Sequence, residues 1–306
     1  TILSLYIYGN YEINKNEKRL NSANQRIFIK VVSPNFDLEY GLNQKEIENR
    51  FNKIIRYSEP NKDKKTIFVW PEGIFSGYSF KEISIFKDLI TNNFSNKHHI
   101  IFGVNRLDPE SGNFYNSMLL VDSNFEIIQS YNKRKLVPFG EFLPFENLLN
   151  KFGIKKITEG YGSFLKGGDN NNLLLNNLRI LPLICYEVIF THLIQKSNID
   201  TNLVVNISED GWFGKTIGPD QHFSKSIFRA IENGTFFIRS ANKGVSAIID
   251  NKGNIIKQLN RNEAGNLEFE VPLIKSNKIK NDLIFFVLLI TYLLVFLFYR
   301  GKNAKK

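Results

Sequence analysis

Cysteine is nearly absent from this chain: Cys185 is its one cysteine in 306 residues, beside one methionine and two tryptophans. A single cysteine excludes an intrachain disulfide and any metal centre built on several thiolates. Histidine is almost as scarce, and His98, His99, His192 and His222 show no ligand spacing such as HExxH. Metal catalysis is therefore not expected, and no cofactor is implied. Acidic residues are outnumbered, 30 against 40 lysines and arginines, leaving a net charge of +10. That balance suits nucleic acid or an anionic membrane surface. No basic stripe with interleaved aromatics accompanies it, and the lysines scatter through loops and the C-terminal tail, which argues against a nucleic-acid partner. Internal repeats and low-complexity segments are lacking too.

Apolar residues make up 42% of the chain, with 27 phenylalanines, which is ample for a core of one large or two ordinary domains. Apolar strands are expected at Arg26–Val32, Thr66–Trp70, His99–Val104, Tyr115–Val121, Glu126–Tyr131, Leu178–Ile184, Asn202–Ile207, Phe236–Arg239, Val245–Ile249 and Asn254–Gln258. Helical periodicity falls at Asn43–Tyr57, Lys81–Phe94, Val188–Gln195 and Gln221–Asn233. Strands alternating with helices, with late hairpins, predict an α/β layered domain with a mixed sheet.

The two ends read differently. Thr1–Gly9 has the character of the last turns of a hydrophobic helix ending at Gly9, the remnant of a transmembrane helix in a longer protein. Leu283–Tyr299 is an uncharged run of 17 residues, at the lower limit of the about 17–25 that span a bilayer. The tail beyond it holds Arg300, Lys302, Lys305 and Lys306 and no acidic residue, which places the C-terminus in the cytoplasm and the large domain on the other face. The expected division is residues 1–9, a catalytic domain over 10–278, and a transmembrane helix with a basic tail over 279–306.

A lone cysteine is ordinarily a small buried hydrophobe. Cys185 has company, however. It ends the run Leu178–Ile184 at a strand-to-helix turn, where helix amides and nearby cations favour a thiolate. Glu72 ends another strand in Trp70-Pro71-Glu72, and Lys133 ends a third in Tyr131-Asn132-Lys133. Loops beyond strand ends gather the sites of α/β folds. A carboxylate can take the thiol proton, and an ammonium can stabilise both the thiolate and the oxyanion formed on a carbonyl.

These three motifs resemble the Glu–Lys–Cys triad of the nitrilase superfamily. Leu136-Val137-Pro138-Phe139-Gly140-Glu141 followed by Pro144, Asn206–Gly214 (NISEDGWFG), Gly218-Pro219-Asp220-Gln221-His222 and Arg239–Val245 (RSANKGV) resemble, within it, the membrane-bound apolipoprotein N-acyltransferases. Two departures stand out: Glu209 where that family often has Asn, and Asp220 where it commonly has a bulkier residue. The resemblance implies a nitrilase-like α-β-β-α sandwich with a C-terminal transmembrane helix. It implies Glu72 as general base, Cys185 as nucleophile and Lys133 as oxyanion partner. The acyl donor would be a membrane phospholipid and the acceptor a diacylglyceryl-modified apolipoprotein, at a bacterial inner membrane with the catalytic domain facing the periplasm. Glu141 and Glu187 would be supporting carboxylates that orient Lys133 or tune Cys185; Tyr186, Trp212 and Asn116 would line the substrate pocket. His222 is read as structural, since Glu72 fills the role of base. Phe139, Phe142, Leu143, Phe145, Leu148, Leu149 and Phe152, with Lys151, Lys155 and Lys156, suggest an amphipathic arm toward the membrane. The alternative with the same triad is a carbon-nitrogen hydrolase, an amidase or carbamoylase, in which water takes the acyl group.

Overall fold

The computed structural model describes residues 2–145, 162–168, 172–195, 200–276 and 281–303. Helix α1 (Ile2–Asn21) opens them. It passes straight through Gly9, the predicted end, because the polar run beyond Gly9 is compatible with a helix and has a place to dock. Asn16 Nδ2 donates to the Asn251 carbonyl at 3.3 Å, and Asn251 Nδ2 donates back to the Asn16 carbonyl at 3.0 Å.

The first half of the chain lays down β1 (Arg26–Ser33), α2 (Gln44–Ser58), β2 (Thr66–Val69), α3 (Phe80–Ile83), α4 (Lys87–Asn93), β3 (His98–Leu107), β4 (Phe114–Val121) and β5 (Ile127–Asn132). Helix α2 starts where the sequence says: Asn43 accepts from the Glu46 amide at 3.0 Å, and Glu46 accepts from the Asn43 amide at 2.7 Å. This reciprocal cap satisfies amides that the first turn leaves free. The helix predicted over Lys81–Phe94 is broken by a 3-10 turn, Ser84–Phe86. There the Ser84 hydroxyl donates to the Lys81 carbonyl at 2.7 Å and competes with the helical ladder.

The second half supplies β6 (Leu173–Leu175), β7 (Leu178–Ile184), a 3-10 turn Cys185–Ile189, α5 (Thr191–Gln195), β8 (Leu203–Glu209), α6 (Gly218–Asn233), β9 (Phe236–Asn242), β10 (Ser246–Ile249), β11 (Ile255–Leu259), β12 (Gly265–Pro272) and α7 (Asn281–Asn303). One mixed sheet was expected from the residue pattern; among the described residues there are two, each of six strands, in the orders β12-β1-β2-β3-β4-β5 and β11-β10-β9-β8-β7-β6. The strand β12 was not anticipated. It pairs antiparallel with β1 from Arg26↔Pro272 to Ser33↔Gly265 and turns Leu267 and Val271 inward.

Alternation along each strand builds the layers. Ile67, Val69 and Ile101 of one sheet meet Ile184, Val205, Ile207 and Ile238 of the other in a shared apolar core. Their neighbours Phe68, Trp70 and Phe102 face the opposite way, onto Phe51, Ile54 and Ile90 of α2 and α4. Leu183, Val204 and Phe237 likewise pack on Ala230 and Phe223 of α6. With both faces covered, the central strands begin apolar on both sides, and β8 and β9 turn polar toward their carboxyl ends at Asn206, Ser208, Glu209, Arg239, Ser240 and Asn242. The result is the expected α-β-β-α sandwich.

Among the described residues no helix is long and apolar enough to cross a membrane, so the span predicted at Leu283–Tyr299 is not shown. The apolar side chains described in α7 run from Phe285 to Tyr299. They are exposed on every side, from 40% at Leu289 to 70% at Phe298.

Candidate active site

Lys133 and Cys185 lie immediately beyond the C-terminal ends of β5 and β7, and Glu72 lies three residues beyond that of β2. Strands β1, β2 and β3 run parallel in one sheet, and β7, β8 and β9 in the other. Their carboxyl ends therefore collect at one edge of the sandwich, where α/β folds place ligands. The approach to Glu72 is fixed by Trp70, which is fully buried and donates from Nε1 to the Ser58 hydroxyl at 2.9 Å. Beyond Glu72 the backbone turns at Gly73, φ +75°, where a Cβ would fall 2.7 Å from Glu209 Oε2. Lys133 is held from both sides of its peptide: its amide donates to the Asn116 carbonyl, and its own carbonyl accepts from the Gly167 amide, each at 2.8 Å.

The charges form one buried cluster. Lys133 Nζ donates to Glu141 Oε1 at 2.9 Å and lies 3.6 Å from Glu72 Oε1. Asn116 Nδ2 bridges the two carboxylates, donating to Glu72 Oε1 and to Glu141 Oε1, each at 2.7 Å. The Glu209 amide donates to Glu72 Oε2 at 3.1 Å, so both oxygens of Glu72 are aimed. Burial works against the Lys133 charge, but Glu141, then Glu72, outweigh it and hold the ammonium above the usual lysine range. The thiol of Cys185 moves the other way from the sequence-based expectation. Burial first, then the charge of Glu72, push its pKa up, and Lys133 offsets only part of this. The turn it opens has only five residues, too short for a substantial helix dipole. The resting group is a thiol whose proton must be removed as it reacts.

A cavity of about 470 Å³ joins these residues. It is lined by Glu72, Asn116, Lys133, Glu141, Cys185, Tyr186 and Trp212 among the predicted positions, and by Tyr40 and Glu209, which were not predicted. Trp212 is 45% exposed and packs against the Tyr40 ring, centroids 6.2 Å apart, at the cavity mouth. Glu141 has the expected place beside Lys133. Glu187 does not: its carboxylate accepts from the Ile184, Arg134 and Lys135 amides at 2.9, 2.7 and 3.0 Å, and from the Tyr131 hydroxyl at 2.9 Å. It staples the end of β5 to the turn that carries Cys185, and its bonds go to backbone and tyrosine rather than to the lysine or the thiol. Burial pushes its pKa up, and the Ile184 amide, then the Lys133 charge, then the Lys135 and Arg134 amides pull it back.

Glu209 escaped the sequence reading, and His222 was read there as structural. Glu209 is buried; burial and the neighbouring Glu72 and Asp210 carboxylates push its pKa up to about 8, although Asn242 and the Gly211 amide donate to it. His222 lies closer to the nucleophile than a generic structural residue, with Nε2 3.1 Å from the Cys185 carbonyl oxygen. The only signal for either was membership of the NISEDGWFG and GPDQH blocks. Of the apolar arm, Leu143 is buried, while Phe139 and Phe145 are exposed, Phe145 by 83%. Leu148, Leu149, Lys151, Phe152, Lys155 and Lys156 lie outside the described residues. Among the described residues no group of three His, Cys, Asp or Glu side chains could hold a metal ion. A second groove, about 690 Å³, sits by Arg26, Lys64 and Lys65 and includes none of the predicted site residues.

Two face-to-face mixed sheets between helical layers, with the cysteine, lysine and glutamate at one edge, define the class: a nitrilase-type α-β-β-α protein. The model of the carbon-nitrogen hydrolase family matches residues 40–280, and the chain belongs to that family. A carbon-nitrogen hydrolase from Helicobacter pylori shares the fold, with a TM-score of 0.59 at 14% identity over 81% of this chain and 89% of that one. A CN-hydrolase superfamily protein from Xanthomonas campestris superposes with a TM-score of 0.58 at 15% identity, over 81% of this chain and 91% of that one. In sequence, the apolipoprotein N-acyltransferase of Rickettsia prowazekii is 32% identical over 96% of this chain and 60% of its own length. That of Allorhizobium ampelinum is 31% identical over 84% of this chain and 50% of its own length. The chain thus spans about half the length of the curated relatives it matches.

Proposed function

We propose that this chain is the catalytic part of an apolipoprotein N-acyltransferase that works through a thioester on Cys185. Glu72 takes the thiol proton as sulfur adds to the ester carbonyl of a phospholipid. Lys133 donates to the oxyanion that forms. The C–O bond breaks, the lysophospholipid leaves as an alcohol carrying the proton from Glu72, and the thioester remains. The α-amino group of a diacylglyceryl-cysteine then adds to the thioester carbonyl and gives its proton to Glu72. A C–N bond replaces the C–S bond, and Cys185 recovers its proton.

The observation that carries this reading is the placement of Lys133 between Glu72 and Glu141 in the cavity that Cys185 opens into. The thiol raised by burial and by Glu72 fits a mechanism in which deprotonation is coupled to attack. The named relatives support acyl transfer over hydrolysis. The exposed apolar sleeve of α7, with Leu3, Leu5, Tyr6 and Ile7 of α1, supports seating in a bilayer, since isolated soluble chains rarely expose so much contiguous apolar surface. The proposed division keeps residues 1–9 and 279–306 with the membrane and residues 10–278 as the catalytic domain. The tail charges support a cytoplasmic C-terminus and a periplasmic catalytic domain at the inner membrane. Exposed Phe139 and Phe145 near the site support the membrane-facing arm.

Intact-protein mass spectrometry tests the first half-reaction. The detergent-solubilised chain mixed with phospholipid should gain one fatty acyl group, released by hydroxylamine and absent from Cys185→Ala. No adduct, together with turnover of small amides, would instead establish the carbon-nitrogen hydrolase.

A further inference from the structure

Cys185 has φ +49°, in the left-handed region that residues with a Cβ adopt only when their surroundings hold them there. What holds it is a chain of buried polar groups reaching its carbonyl oxygen from behind. His222 Nε2 lies 3.1 Å from that oxygen, and Asn206 Nδ2 donates to it at 3.4 Å. On its other side the His222 ring places Nδ1 3.0 Å from Asp210 Oδ1 and 3.1 Å from Arg239 Nη2. Arg239 Nη2 donates to Asp210 Oδ2 at 2.7 Å, Ser208 donates to Asp210 Oδ1 at 2.7 Å, and Arg239 Nη1 donates to Asn206 Oδ1. All five side chains are buried. The space is purpose-built: a Cβ on Gly244 would stand 2.0 Å from Asp210 Oδ2, so the backbone there passes where only glycine fits. The rings of Phe213 and Tyr186, 5.6 and 6.3 Å from that of His222 between centroids, flank the imidazole.

We infer that His222, set by Asp210 and Arg239, is a positioning residue that clamps the Cys185 carbonyl and so fixes where the nucleophilic sulfur points. The inference rests on Cys185 being the nucleophile proposed above. Burial, then the Arg239 charge, push the imidazole below the usual histidine range, against the opposing pull of the Asp210 carboxylate and the Cys185 carbonyl. The Cys185 carbonyl oxygen can only accept, so Nε2 carries the hydrogen that joins them, while Nδ1 stands between the Asp210 carboxylate, an acceptor, and the Arg239 guanidinium, a donor. Asn206 Nδ2 also donates to the Leu183 carbonyl at 3.0 Å and Arg239 Nε to the Val245 carbonyl at 3.1 Å, so those two tie neighbouring strands, whereas the His222 Nε2 contact goes to the backbone of the reacting residue itself. Small displacements of a nucleophile are costly to rate because the attack geometry is narrow.

Two replacements separate clamp from filler. Glutamine can set an amide nitrogen where Nε2 lies; asparagine reaches only the Nδ1 position. His222→Asn should form the acyl thioester about tenfold more slowly at unchanged KM for phospholipid, with His222→Gln within about threefold of the wild type. In parallel, iodoacetamide alkylation of Cys185, the one thiol, is followed against pH in all three proteins, with melting temperatures. The His222→Asn profile should move toward that of an ordinary cysteine while the His222→Gln profile stays with the wild type. Alkylation needs no acyl donor, so it decides the clamp even if the wild type makes no thioester. Equal behaviour of the two variants in rate and alkylation profile, or a wild-type profile in His222→Asn, would overturn the inference.

Discussion

Replacing Lys133 by methionine removes a cation in contact with two buried carboxylates and keeps nearly the same volume. Glu141 is 2.9 Å and Glu72 3.6 Å from the lost ammonium. At an effective dielectric of about 20, Coulomb's law gives gross attractions of about 6 and about 5 kcal/mol. Most of this is offset by the desolvation that the ammonium no longer suffers, and removing one partner of a buried pair costs about 3–5 kcal/mol net. The pH dependence has a definite sign. The folded-state pKa of Lys133 lies above its ordinary value of 10.5, so its contribution is complete below the ordinary value and is lost only as pH rises through the raised one. The difference in urea unfolding free energy between wild type and Lys133→Met should therefore be about 3–5 kcal/mol at pH 7.5 and no smaller at pH 9.5. Thioester formation should fall by about 10²–10³-fold, because the oxyanion loses its donor. A variant as stable as the wild type, or a difference that shrinks by pH 9.5, would refute the buried-cation reasoning.

Glu209 gives the opposite pH trend: its folded-state pKa is pushed up to about 8, so the folded state holds a proton that the unfolded chain releases, and stability declines as pH rises from about 4.5 to 8. Glu209→Gln should match the wild type at pH 5 and exceed it by about 1–3 kcal/mol at pH 8, read from urea midpoints. Glu187→Gln leaves backbone amides of two segments competing for one carbonyl oxygen and should cost about 2–4 kcal/mol in the same assay; a loss below 1 kcal/mol would contradict the staple. Phe145→Ser should leave the melting temperature within 1 °C, since the ring is 83% exposed, while reducing the rate with phospholipid vesicles more than with a short-chain soluble ester. Equal loss on both substrates would remove the case for a membrane-facing arm.

The parts of the site legible in the sequence are those marked by a strand end. Val69, Asn132 and Ile184 end β2, β5 and β7, and the residues beyond them are Glu72, Lys133 and Cys185. Their apolar lead-ins are plain in the residue pattern, whereas the pairing of these ends from different sheets came only with the family resemblance. The role of Glu187 was not legible, because its partners are backbone amides contributed by Arg134 and Lys135, about fifty residues away. The state of the Cys185 thiol was misread for a related reason: burial and Glu72 outweigh the lysine, and neither effect has a linear signature. His222 and Glu209 look ordinary in one dimension; a distance to a carbonyl in one case and enclosure in the other give them meaning. Strand β12 was missed because Glu268 and Glu270 interrupt its apolar residues on the exposed face, and α1 was cut at Gly9 because its polar half is stabilised by docking through Asn16 rather than by an apolar stripe.

The central claim is that the Cys185 thioester passes its acyl group to an amine. The direct test is a chase. Acyl-enzyme is isolated from excess phospholipid and divided between buffer alone and buffer with a diacylglyceryl-cysteine peptide bearing a free α-amino group, and products are read by mass spectrometry. Acyl transfer predicts that the peptide gains the acyl mass as fast as the enzyme loses it, with the thioester persisting in buffer. Release of free fatty acid at the same rate in both samples, with an unmodified peptide, would contradict it and leave the chain a hydrolase.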